Sequence, residues 1–222
     1  MISPSILRRT LPLALTAFFS SFNACAFRVW AVLAVLGSGF DYFRDSAFLL
    51  SVAAVCILPS LLLPALSGFI ADRLPKRYIV IGVKLIELPL LLLLSETIHR
   101  TDAVYEGYGI LFVILLFSLI RAFYVPAFEG LFPETFSERE LSRSCGRISS
   151  VSTLGLVVGG IATPLAFYLN VCGWLLLGSI CCGIVSAIRI LPIASPVQVE
   201  RELAYRFRDV LKKARARQRA GQ

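Results

Sequence analysis

The chain has 222 residues, 57% hydrophobic and 16% charged, with a mean hydropathy of +0.80. Soluble domains average about 25% charged residues, so a globule of this composition in water would expose large apolar surfaces, and that class is excluded. A net charge of +8 would raise nucleic acid as a partner in a soluble chain, but the basic residues gather at the borders of apolar runs and in the tail, where membrane orientation accounts for them and no nucleic-acid role is expected.

Six apolar runs follow one another, over approximately Leu11–Leu36, Ser46–Ile70, Tyr78–Leu94, Tyr108–Val125, Ile148–Leu169 and Cys172–Leu191. A helix needs roughly 20 apolar residues to cross the hydrocarbon layer. The first run is too long for a signal peptide and has no small-residue cleavage site after it, so it reads as a retained span. The runs are long, continuous and rich in Leu and Ala, which favours helices over the short alternating segments of a membrane barrel. The expected fold is therefore all-α: a polytopic membrane protein with six transmembrane helices over residues 1–193.

Lys and Arg set the orientation. Arg8, Arg9, Arg73, Lys76, Arg77, Arg139, Arg143, Arg147 and the tail fall on one side, and only Arg44 and Arg100 on the other. Positive charge favours the cytoplasm, which places both termini inside, in agreement with an even number of spans. In the tail, residues 194–222, Val199, Leu203, Phe207, Val210, Leu211 and Ala214 recur at helical spacing among basic residues. That pattern describes either a basic amphipathic helix on anionic headgroups or a solvated linker.

Within the spans, Pro89 and Pro126 are expected to kink or end their helices. Gly155 and Gly159 form a GxxxG pair that favours close helix contact. The six cysteines form no CxxC and read as small core residues.

The loop between the second and third spans reads Gly68-Phe69-Ile70-Ala71-Asp72-Arg73-Leu74-Pro75-Lys76-Arg77. Gly68 would let one helix end approach another. Asp72 can accept from backbone donors at a helix start, or from Arg73 or Arg77, and so form a charged latch at the membrane border. The segment resembles the signature loop of the major facilitator superfamily, with Pro75 where that loop usually has Gly. A wider resemblance, carried by Leu58–Glu87, Pro126–Gly130 and Leu141–Gly160, is to the lysophospholipid transporter branch, which also occurs fused to an acyltransferase and an acyl-carrier-protein synthetase.

The resemblance implies the amino-terminal six-helix half of a transporter in the bacterial inner membrane. It further implies membrane lipid as substrate, a second six-helix half as partner (a copy of this chain or a separate one), and an acyltransferase as a possible further partner. The pattern departs from the branch at Ala24-Cys25, which replaces an Asp-Asn pair, at Phe128-Glu129, which replaces Lys-Tyr, and at Ser144-Cys145, which replaces Ala-Asn. The other readings of the chain are half of an efflux or other small-molecule transporter, and a truncated, inactive chain with a scaffold role.

Charges inside apolar spans are costly and mark candidate sites. Arg28 lies in the outer third of the first span, Lys84 and Glu87 in the third, and Arg121 in the inner half of the fourth. Glu87 has two candidate partners, Lys84 and Arg121. Arg28 and Arg121 are candidate holders of a lipid phosphate, because a guanidinium fits phosphate with paired donors. Asn23 is a candidate site donor or a helix-to-helix hydrogen bond. Against these readings stands a purely structural ion pair with Lys84 snorkelling. No catalytic constellation, metal cluster or cofactor motif is present, and His99 reads as a surface residue.

Overall fold

A computed structural model describes residues 4–37, 46–98 and 103–191. The tail expected to form an amphipathic helix, the loops holding Arg44, His99 and Arg100, and the side chains of Arg8 and Arg139 lie outside the described residues. Every described element is helical: α1 (Pro4–Gly37), α2 (Ser46–Leu62), α3 (Pro64–Arg73), α4 (Lys76–Ile98), α5 (Ala103–Glu129), α6 (Phe132–Thr135), α7 (Glu138–Tyr168) and α8 (Cys172–Ile188).

The expected second span is two helices. The break falls at Leu63, with φ −100° and ψ 2°, immediately before Pro64. Proline has no backbone N–H and disfavours the helical region for the residue before it, so a helix ends there most cheaply. Four segments, within α1, α4, α5 with α6, and α7, are long and apolar enough to cross a bilayer. The apolar helices α2 and α8 have 17 residues each, just below the usual length. Pro89 and Pro126 end neither α4 nor α5, which run on to Ile98 and Glu129.

The longest contacts are between α1 and α7, then between α4 and α5, with α8 packed on α1 and α4. Small residues permit the first of these. A Cβ on Gly155 would strike the Phe18 carbonyl, and one on Gly159 would lie 2.8 Å from the Phe22 carbonyl oxygen. Ser21 and Ser152 join the same pair of helices by a 2.6 Å hydrogen bond. The glycine pair therefore does what its spacing suggests.

Two apolar clusters stack along the bundle. One holds Phe27, Trp30, Leu94, Ile114, Phe117 and Leu176, and the other Leu13, Val80, Val83, Ala127, Leu131 and Ile190. Phe27 and Phe117 stack at 4.2 Å between ring centroids in the first. Large apolar side chains such as Leu61, Leu62, Ile161 and Leu165 point outward, each at least 61% exposed. Outward Leu and Ile over whole helix faces suit hydrocarbon as the surrounding solvent. The cysteines are all free, but only Cys172 is fully buried, and Cys181 and Cys182 face out of the bundle, so the expectation of small core residues fails for that pair.

Candidate functional site

Between and beside the two apolar clusters runs a belt of polar side chains about two helical turns deep. On α1 it comprises Thr16, Ser20 and Asn23, on α4 Lys84 and Glu87, on α5 Ser118 and Arg121, and on α8 Ser179 and Ser186. The Lys84 ammonium bonds both carboxylate oxygens of Glu87 at 2.8 Å, one helical turn away. This pair is 0% and 1% exposed, and burial at that level is tolerated only with full pairing. Asn23 completes it, donating to Glu87 Oε2 at 3.3 Å and accepting from the Ser179 hydroxyl. Thr16 bonds Ser186 at 3.1 Å, which ties α1 to α8 a second time, about two turns along from the Asn23–Ser179 bond.

Of the two partners the sequence allowed for Glu87, the fold pairs it with Lys84. Arg121 turns instead to α1, where Nη1 donates to the Ser20 carbonyl at 3.1 Å and to the Ser20 hydroxyl. The Tyr124 ring lies 5.3 Å from Lys84 Nζ and 4.9 Å from the Arg121 guanidinium, so its π-face offsets part of the positive charge of both.

Beside the belt is a cavity of about 350 Å³ between α1, α2, α3 and α5. Its lining includes Arg28 from α1, Cys56 from α2, Ser67 from α3, and Ser118, Arg121 and Glu129 from α5. The structure thus brings Arg28 and Arg121 to one space. Among the described residues, neither forms an ion pair. Asn23 and Glu87 do not line the cavity: Asn23 is bonded to Glu87 of α4 and Ser179 of α8, and Glu87 to Lys84 and Asn23.

The latch residues are only partly joined. Lys76 forms an ion pair with Glu134 at 2.7 Å and also donates to the Gly130 carbonyl at 3.3 Å. Gly130 makes room for it, since a Cβ there would lie 2.7 Å from Lys76 Cε. Arg77 donates to the Leu191 carbonyl at 3.0 Å. The start of α4, the α5–α6 connection and the end of α8 are therefore held together at one end of the bundle. The side chains of Asp72 and Arg73 lie outside the described residues. Gly68 does not meet a neighbouring helix: a Cβ there would find nothing within 4 Å, contrary to its expected role.

Sequence reasoning missed Ser118, Ser67 and Glu129 as cavity residues, Ser20 and Glu134 as partners of charged groups, and Ser179 as the partner of Asn23. Glu134 carried a signal, as the acidic residue in the first turn of α6. Among the described residues, no three His, Cys, Asp or Glu side chains gather as a metal site. Comparisons with protein-family descriptions, with curated proteins and with solved structures returned no match.

Proposed function

We propose that this chain is a six-span half of a secondary transporter of the major facilitator type that binds and moves a lysophospholipid. Its setting is the bacterial inner membrane, with both termini cytoplasmic. In this reading α2 and α3 together make the second span, bent at Leu63, and α8 makes the sixth. The single observation that supports it is the shared cavity: two arginines from different helices face one space in an apolar bundle, and among the described residues neither forms an ion pair. Two arginines against one cavity carboxylate, Glu129, leave positive charge at membrane depth, which is costly unless an anion visits it. A phosphate head with a single acyl chain matches a charged cavity in an otherwise apolar bundle. A second half, from another copy or another chain, would close the site as in transporters built from paired bundles.

One observation favours an efflux transporter for cationic compounds as a second reading. Glu129 lines the same cavity and is exposed. The test is flip of labelled lysophosphatidylethanolamine in vesicles holding the full chain, alone and with a candidate partner half. The proposal expects flip by wild type and a loss in Arg28→Lys and Arg121→Lys, because a lysine lacks the planar paired donors. Unchanged flip in both variants makes the arginines structural. Movement of a cationic dye but no lipid replaces the proposal with the efflux reading.

A further inference from the structure

Ser118 precedes Arg121 by three residues on α5, so the two side chains share one face of that helix. Both line the cavity with Arg28. Ser118 is 3% exposed, yet its hydroxyl has no hydrogen-bond partner. Among the described residues the Tyr124 hydroxyl, further along α5, is also without a partner, but Tyr124 does not line the cavity. Hydroxyl side chains in helices commonly return to the carbonyl four residues back, and Thr16, Thr97, Thr135, Thr163 and Ser150 all do so here, at 2.6–2.9 Å. Ser118 does not bond the Ile114 carbonyl, although its position on α5 offers the same opportunity. A buried hydroxyl without a partner carries a desolvation cost, and a native structure rarely bears that cost without a use.

We infer that Ser118 is a binding residue of this site, donating its hydroxyl hydrogen bond to a phosphate-type oxygen of the anion that Arg28 and Arg121 attract. The inference rests on the anion-binding reading of the cavity and adds a residue to it. The two arginines supply charge, and the serine supplies a short neutral donor on the helix that carries Arg121. A hydroxyl at that place also discriminates chemistry: an anionic oxygen accepts from it, whereas a quaternary cation, with neither acceptor nor N–H, leaves it unpaired.

The test uses the full chain in lipid nanodiscs, with three probes: lysophosphatidylethanolamine, inorganic phosphate and monoacylglycerol. Wild type is expected to bind lysophosphatidylethanolamine saturably and monoacylglycerol weakly. Ser118→Ala should weaken phosphate-dependent binding by about tenfold, the scale of one hydrogen bond to a charged group, while Ser118→Thr keeps most of it. The thermal midpoint of unliganded Ser118→Ala should be unchanged or raised, because the variant removes an unpaired buried hydroxyl. Equal affinity in wild type and Ser118→Ala overturns the inference and leaves the anion site standing. A lowered midpoint in Ser118→Ala makes the residue structural and also overturns it. Wild type that binds monoacylglycerol as tightly as the lysolipid, and phosphate not at all, removes the anion site and the inference with it. Binding of inorganic phosphate alone, still sensitive to Ser118→Ala, upholds the serine and sinks the lipid as its source.

Discussion

Lys84 and Glu87 form a closed ion pair one turn apart on α4, both nitrogen–oxygen distances being 2.8 Å, with Asn23 of α1 on the same carboxylate. Removing either partner would leave a bare charge between two apolar clusters. Glu87→Ala should therefore destabilise the bundle by about 3–5 kcal/mol, whereas replacing both, as Lys84→Met with Glu87→Leu, should recover most of that loss. A double-mutant cycle of unfolding in mild detergent measures the coupling. Additive single losses would show that the pair is not joined in the folded protein.

The contact between α1 and α7 leaves no room for side chains at two glycines. Gly155→Ala should cost on the order of 1–3 kcal/mol, since the obstacle is the Phe18 backbone rather than a movable side chain. Gly82→Ala is the control. A Cβ at Gly82 meets nothing within 4 Å inside α4, so the same change should stabilise by roughly 0.5–1 kcal/mol. Equal effects at both positions would contradict the close approach of the two helices.

Much of this was legible in the chain and some was not. The alternation of long apolar runs places the helices, and the spacing of Gly155 and Gly159 names their contact surface. Helix ends were underestimated: α4 and α7 begin before the apolar run because Lys76 and Glu138–Arg147 extend the helix beyond the apolar stretch. Pro64 did signal the break at Leu63, but the continuous hydropathy around it masked the signal. Depth along a helix follows from residue count, whereas rotation about its axis does not. That is why Glu87 could be placed beside both Lys84 and Arg121, and why Asn23 reads equally as a site donor or a helix-to-helix hydrogen bond. The cavity and Ser118 depend on how four helices meet, and no local pattern encodes that.

At the basic end of the bundle, the Lys76–Glu134 pair joins α4 to α6 at part-exposed side chains, 19% and 31%. Its contribution to stability should be small, about 1 kcal/mol or less. Lys76→Glu and Glu134→Lys should each weaken the link, and the charge-swapped double variant should restore it. Thermal midpoints at low and high salt report it: the gap between single and double variants should shrink as salt rises. A gap independent of salt would assign the effect to packing against Gly130.

In the proposed orientation the same end faces the cytoplasm. Lys76, Arg77, Glu134 and Leu191 are held together, so cysteines introduced at 134 and 191 in a cysteine-free background should react with an impermeant reagent only from the cytoplasmic side. Positions near Arg44 and His99 should react only from outside. Reaction of 134 from one side and 191 from the other would break the arrangement.

The most direct measurement of the central claim is equilibrium binding of fluorescent lysophosphatidylethanolamine to the full chain in nanodiscs, in wild type and in Arg121→Gln. The proposed anion site predicts saturable binding by wild type and at least about a tenfold loss in the variant, since a charge-assisted contact is removed. Identical binding in the two proteins, or saturable binding of a cationic dye in place of the lipid, would contradict it.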